Sequence, residues 1–403
     1  MRLIPNINIE GQAGYAKLLG HNFDSVQECY DLFMPIKVAD RLDIAQKAAN
    51  EKFDGEQAET IQFGGENFQI WCGGATGGIK WVIENDDFQL FFNSPITKYG
   101  EVKKWGVGVR YKSAGLWEYG IIFLKQRVMA VLFQEGFSLL NGDNEINDNV
   151  EFIKSWQRVN RVDYAFDFYS EKFSFEMKNQ RLVENLILPS GVKYMTVGTS
   201  TTTETLTAGM NRKGAQIQIY DKGKEITEAS GKIWMFKVWE KNGFIKPEDG
   251  KAKNVWRLEI RFGKGFIQDR GALCFEEFNG KLQNKLCEAI FKRRLAVPDG
   301  RKHREDWDLH PIFAEAYRAT DMAGKYAPIG RQQTQKAEEL YLMLGKQIKG
   351  IGRSMDVLKN GEYHDESAKT NLIKLSGEIS SDKKHKNKEE KAQERYKLIS
   401  EAK

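Results

Sequence analysis

Histidine is scarce in this 403-residue chain, with only five present. His21, His303, His310, His364 and His385 form no His-x-His pair and no H-E-x-x-H motif, so a histidine-ligated metal site lacks its ligands. The four cysteines, Cys29, Cys72, Cys274 and Cys287, include no C-x-x-C pair. That argues against a zinc ribbon and a dithiol redox motif, and a chain of this length needs no disulfide framework. No run of about 18 apolar residues occurs, so no membrane-spanning helix is expected. The opening "MRLIPNINIEGQAGY" lacks both a long apolar stretch and a small-residue cleavage site, and the protein is expected in the cytoplasm. G-x-x-x-x-G-K-[ST] is missing, which argues against a P-loop nucleotidase. Neither sign of charge dominates: 61 lysines and arginines stand against 56 acids, for a net +5. This mildly basic balance permits a polyanionic partner without demanding one.

What remains is an ordinary globular composition, 41% hydrophobic and 29% charged, long enough for two or three domains. Residues 1–61 read as a mixed N-terminal segment, with "DSVQECYDLFMPI" and "ADRLDIAQKAANEKF" spaced as helices. Residues 62–298 read as a β-rich core. "ETIQFGG", "NFQIWCGG", "GIKWVIEN", "FQLFFNSP", "KWGVGVRYKS", "LWEYGIIFLK" and "RVMAVLFQEGF" are separated by turn residues at hairpin spacing. "WCGGATGGIKW" reads as a turn between strands, since no helix follows to make it a phosphate loop. "NDNVEFIKSWQRVN" and "SFEMKNQRLVENLIL" read as helices, and "KIWMFKVW" as a further strand. "FEEFNGKLQNKLCEAIFKRRL" places Phe278, Leu282, Leu286 and Ile290 at helical spacing. Residues 299–403 read as a charged helical extension with a solvated tail. The expected class is α+β, a large and mostly antiparallel sheet with packed helices.

Three strands carry an unusual polar side. In "AQIQIYDKGKEI", Gln216, Gln218, Tyr220 and Lys222 oppose Ile217 and Ile219. In "RVDYAFDFY", Arg161, Asp163, Ala165, Asp167 and Tyr169 oppose Val162, Tyr164, Phe166 and Phe168. In "VWRLEIRF", Arg257, Glu259 and Arg261 alternate with Trp256, Leu258, Ile260 and Phe262. For any one strand, a solvated face with cross-strand ion pairs worth a fraction of a kcal/mol is sufficient explanation. Together, a phenol, carboxylates and guanidiniums are what metal-assisted phosphodiester transfer to tyrosine requires. A free phenol titrates near about 10, so it needs a neighbouring base or cation, and Lys222 lies on the same face. A phosphate needs Mg²⁺ or Mn²⁺ on carboxylates, for which Asp163, Asp167 and Glu259 are available. Asp163 and Asp167 stand about 13 Å apart along an ideal strand. One of them with Glu259 is the more economical site, and the sequence leaves the choice open.

"RVDYAFDF", "VGTS…QIQIYDKGKE" and "VWRLEIRF", in that order over roughly residues 155–295, resemble the replication initiation factor family, the Rep_trans-type initiators of rolling-circle plasmids, with related phage proteins and conjugative relaxases. The resemblance implies that Tyr220 nicks one DNA strand, becomes linked to its 5′ phosphate and releases a 3′ hydroxyl primer. It places the family's acidic positions on Asp163, Asp167 and Glu259, and implies a divalent metal, origin DNA as substrate, a homodimer and a UvrD-like host helicase. Lys222 with Arg257 or Arg261 would offset developing charge. The sequence departs from the family in two places. "VGTSTTT" has no arginine, leaving Arg212 and Lys213 as substitutes, and Arg261 stands where a second acid is common. The low histidine content agrees, since the other large class of rolling-circle nickases holds its metal with histidines.

Around a proline-glycine turn, Lys292, Arg293, Arg294, Arg301, Lys302, His303 and Arg304 form a basic cluster suited to DNA phosphates or to a solvated helix end. A relaxase using the same chemistry at an origin of transfer is the near alternative. A non-catalytic origin-binding regulator is the distant one.

Overall fold

The computed structural model describes residues 14–52, 59–96, 100, 104–139, 150–178, 180–199, 203–209, 214–245 and 252–322, with scattered positions between 348 and 371. Contacts divide the chain into two units, 1–331 and 332–403. In the second, a few mostly helical positions are described. No helix among the described residues is long and apolar enough to cross a membrane.

The first unit is α+β. Its first eight strands are β1 (Lys17–Tyr30), β2 (Leu32–Phe33), β3 (Glu59–Phe63), β4 (Glu66–Ile70), β5 (Trp81–Glu84), β6 (Phe88–Phe92), β7 (Val107–Tyr111) and β8 (Ser138–Leu139). The rest are β9 (Gln157–Tyr169), β10 (Leu186–Ile187), β11 (Tyr194–Gly198), β12 (Thr203–Ala208), β13 (Ala215–Asp221), β14 (Val255–Gly263), β15 (Arg294–Val297) and β16 (Asp308–Leu309). Eleven of them form one sheet in the order β11-β12-β13-β14-β9-β1-β7-β6-β5-β4-β3. The two longest strands, β1 and β9, pair antiparallel at its centre. Outward from each, the strands step back through the chain, 14-13-12-11 on one side and 7-6-5-4-3 on the other. The two halves thus share a winding pattern that no sequence repeat announces.

One face of the sheet carries the larger core. Val162, Tyr164, Phe166 and Phe168 of β9 join Ile217 and Ile219 of β13 and Leu258, Ile260 and Phe262 of β14. Helices Ile36–Lys52, Ile121–Gln134, Leu282–Lys292 and Pro311–Ala319 contribute side chains to the same core. Each large apolar side chain fully removed from water there stabilises the fold by about 1.5–3 kcal/mol. A smaller cluster lies on the opposite face, where Trp117, Ile226 and helix Trp234–Lys241 pack on Leu19, Ala165 and Val255. Next to that cluster, on β13, β14 and β9, the same face carries polar side chains.

Several expectations are corrected here. "DSVQECYDLFMPI" is not helical: it lies mostly in β1, and the segment 1–61 supplies a central strand of the sheet. Register shifts between Phe23 and Ser25 and between Gln27 and Glu28 put the buried Phe23, Val26 and Tyr30 three and four residues apart. β-Bulges therefore imitate helical periodicity. In the other direction, "LWEYGIIFLK" and "RVMAVLFQEGF" lie in helices Ser113–Tyr119 and Ile121–Gln134, and "KIWMFKVW" lies largely in Trp234–Lys241. "SFEMKNQRLVENLIL" holds only the end of a short helix, Glu171–Met177, and a 3₁₀ turn before β10. The glycine-rich 71–81 stretch is a turn joining β4 to β5, closed by an Ala75–Ile79 bridge.

His21 of β1 sits in the larger core, its Nδ1 2.8 Å from the Tyr164 hydroxyl and its ring stacked on Phe166. Burial lowers its pKa from 6.5 to about 4, partly opposed by the charge of Asp167. Between those values the unfolded chain binds the proton and the folded protein does not, so this group's contribution is complete above 6.5 and is lost as pH falls towards 4. The loss amounts to about 3 kcal/mol at most. His21→Gln is expected to flatten the pH dependence of the urea midpoint in that window; an unchanged slope would assign it elsewhere.

Candidate active site

β13, β14 and β9 are neighbours, so their polar sides merge. The ladder sets the side chains in rows across the strands. One row runs Tyr220, Arg257, Asp167; the next holds Gln218, Glu259 and Ala165; a third holds Gln216, Arg261 and Asp163. Tyr220 is thereby placed one strand from three of the other expected site residues.

The half-buried Tyr220 aims its hydroxyl at an acid, donating to Glu259 Oε2 at 3.0 Å. Glu259 in turn accepts at Oε1 from Arg261 Nε at 2.6 Å. Burial raises the phenol's pKa well above 10; the Arg257 cation opposes this and the Glu259 charge adds to it. The ground state is a neutral phenol hydrogen-bonded to a carboxylate, so ionisation has to accompany reaction. Arg161 grips Asp163 through Nε at 2.8 Å and Nη2 at 2.7 Å. Burial raises the Asp163 carboxyl to about 6, against the Arg161 hydrogen bond and with the Glu259 charge adding. Asp163 and Glu259 therefore sense one another as close like charges.

Asp167 belongs to a different group. Wholly buried, it takes Arg257 Nε at 2.6 Å on one oxygen, and Arg257 Nη2 and Trp239 Nε1, each at 2.9 Å, on the other. The third Arg257 nitrogen reaches Asp24 Oδ1 at 2.7 Å. Burial pulls the Asp24 carboxyl upward, but Arg257, Lys232 and Lys222 outweigh it and hold it at about 2. Arg257 is 0% exposed and saturated by acids. It is a brace beneath Tyr220, and of the two arginines expected to meet phosphate charge Arg261 is the one whose side chain reaches solvent, 31% exposed.

Lys222 is displaced from its expected place. β13 ends at Asp221, whose side chain caps a short helix at Lys224 N, and Lys222 begins that helix. Only 2% exposed, its Nζ pairs with Glu225 at 2.5 Å and stands 5.7 Å from the Tyr220 ring centre. Burial and the neighbouring Arg257 lower its pKa, against Asp24 and Glu225. The next residue tolerates no side chain: a Cβ on Gly223 would lie 1.6 Å from the Ala252 carbonyl oxygen. A π-turn, Ile226–Ser230, follows, and Gly231 closes it at φ 63°. This sequence steers the chain sharply off the sheet beside Tyr220.

The three acids expected to share a metal are thus divided. Among the described residues, no group of three or more His, Cys, Asp or Glu is set to hold an ion. Asp167 is fully engaged elsewhere. The expected metal would fall to Asp163 and Glu259, whose oxygens are occupied here by Arg161, Tyr220 and Arg261; Mg²⁺ takes one or two carboxylates and would have to displace some of those donors.

Much of the expected basic cluster makes contacts within the chain, although only Arg294 is buried. Arg294 is buried and donates to the Phe291 and Glu305 carbonyls; Arg301 is clamped by Asp299 and Asp308. Arg304 donates to the Glu184 carbonyl and Lys292 pairs with Glu288. Lys302 is exposed, and Arg293 lies half-buried against Gly209 with its Nε unpartnered among the described residues. Arg212 and Lys213 lie outside the described residues. Sequence reasoning missed Asp24 and Trp239 and undervalued Arg161. The bulge conceals Asp24, and Trp239 comes from a helix whose composition reads as strand.

No protein-family profile matches the chain, and no curated protein matches it. Among solved structures it is similar to a rolling circle replication initiator protein from Geobacillus stearothermophilus. Identity is 10%, with 76% of this chain and 96% of that chain covered, and the TM-score is 0.39.

Proposed function

We propose that the chain is a DNA strand-nicking and -joining protein that starts rolling-circle replication, with Tyr220 as nucleophile. The observation that carries this reading is the Tyr220–Glu259 hydrogen bond of 3.0 Å on a face that also presents Arg261, Arg161 and Asp163. Nucleophile and base stand within reach, and the base is oriented by a third group, Arg261. Tyr220 Oη attacks the scissile phosphorus and passes its proton to Glu259 Oε2. The new bond joins phosphorus to the phenolic oxygen; the bond to the 3′ oxygen breaks, and that oxygen takes a proton from solvent water and leaves as a hydroxyl. Arg261 and Arg161 meet the phosphate charge. A divalent ion on Asp163 and Glu259 would supply Lewis-acid polarisation of the phosphate. Reversal by the released 3′ hydroxyl rejoins the strand. The same chemistry serves a conjugative relaxase, and the origin that the protein recognises separates the two.

The test is nicking of supercoiled DNA carrying the cognate origin, with capture of the covalent adduct. Glu259→Gln keeps the shape and removes the proton acceptor, so the nicking rate is expected to fall by about 10²–10⁴. Full activity in that variant would remove Glu259 from the mechanism.

A further inference from the structure

The rows that place Tyr220 continue past it to the sheet edge. Val197 of β11 pairs with Thr205 and Thr205 with Tyr220; Met195 pairs with Thr207 and Thr207 with Gln218. Met195 and Val197 therefore project from the same face as Tyr220, about 10 Å away across two strands. They are 43% and 50% exposed. Between them and the site, Gln218 presents an enclosed side-chain oxygen with no hydrogen-bond partner among the described residues.

Beyond the site the face is cationic where solvent meets it. The Arg261 and Arg161 side chains are 31% and 37% exposed, whereas their partners Glu259 and Asp163 are 3% and 4% exposed. The acids lie underneath and the guanidiniums outside. Arg161 pairs across the ladder with Gln27, and Gln27 with the exposed Arg110, which carries the positive strip two strands further.

We infer that a single strand of DNA crosses this open face, its bases or sugars seated on Met195 and Val197 at the β11 edge and its phosphates carried by Arg261, Arg161 and Arg110. The apolar pair suits unstacked bases, which a duplex would keep in its interior. The outward guanidiniums suit a backbone, and Gln218 supplies an amide to a base edge between the two. The inference rests on the nicking reading, since the strand so placed passes over the Tyr220 hydroxyl.

The experiment is fluorescence anisotropy with labelled oligothymidylate, in the Tyr220→Phe background so that binding is read without cleavage. The double variant Met195→Ser, Val197→Ser is expected to bind at least about tenfold more weakly. Arg110→Gln is expected to lower the slope of log affinity against log salt by about one. All three side chains are exposed, and thermal melts check that folding is retained. Unchanged affinity and unchanged salt slope would overturn the track. So would a shift in sedimentation with unchanged DNA affinity, which assigns the β11 edge to a second copy of the chain. Restored to Tyr220, the parent supplies the separate control. A parent that binds single strands but never nicks defeats the nicking reading and leaves the track standing. A parent whose nicking and affinity both survive the double variant defeats the track alone.

Discussion

Tyr220→Phe is expected to yield no covalent protein–DNA adduct and no origin nicking, and to fold. The effect is expected to be complete because the substitution deletes the attacking oxygen itself, and none of the groups around it replaces that oxygen. Lys222 is turned into its ion pair with Glu225, and Glu259 is a carboxylate better suited to accepting a proton than to attacking phosphorus. The structural cost is small: one hydrogen bond to Glu259, worth about 1 kcal/mol. Denaturing gels with labelled origin DNA read the adduct, and circular dichroism reads the fold. Retention of an adduct by the phenylalanine variant would place the nucleophile elsewhere in the chain.

The largest expected change in stability comes from Arg257→Met. Arg257 satisfies Asp167 with two nitrogens and Asp24 with the third, and Asp167 has no access to water. Removing the cation strands two acids facing each other in a low-dielectric interior, at a cost of about 3–5 kcal/mol. A buried pair replaced as a unit behaves differently. The double variant Asp167→Leu, Arg257→Met is therefore expected to lose less than Arg257→Met alone. Urea unfolding of the parent, the single and the double variants measures both statements. A single-variant loss below about 1 kcal/mol would mean that water or a neighbouring cation already screens the group.

The polar faces that make up the candidate site were legible in the sequence, as was the α+β class, while several single elements were not, for a physical reason. β13, β14 and β9 alternate cleanly because each has one face in the larger core, and a two-residue period survives wherever pairing is regular. That period alone sets Tyr220, Glu259, Arg261 and Asp163 on one face. What it cannot show is how a face divides once strands pair. Asp167 and Arg257 look identical in the pattern to Asp163 and Arg261, yet helix Trp234–Lys241 packs over the first pair, whereas Arg261 of the second reaches solvent. Charge counting has the same limit in the 292–304 stretch, where Arg294, Arg301 and Arg304 are consumed by carbonyls and local acids. The helices misread as strands share one cause. Helix Ile121–Gln134 is rich in residues that favour strands, and its buried Leu124, Val128, Val131 and Leu132 carry the helical spacing beneath that composition.

The central pairing of β1 with β9 also bears on how the protein is made. A ribosome delivers β1 and its outward neighbours long before β9, so the nascent first half holds a fourteen-residue strand with one long flank unzipped. Such a flank recruits stray β-partners until its own arrives, and the expected hazard during synthesis is aggregation through that flank. Fragments truncated between residues 139 and 157 should consequently be the least soluble pieces of this chain.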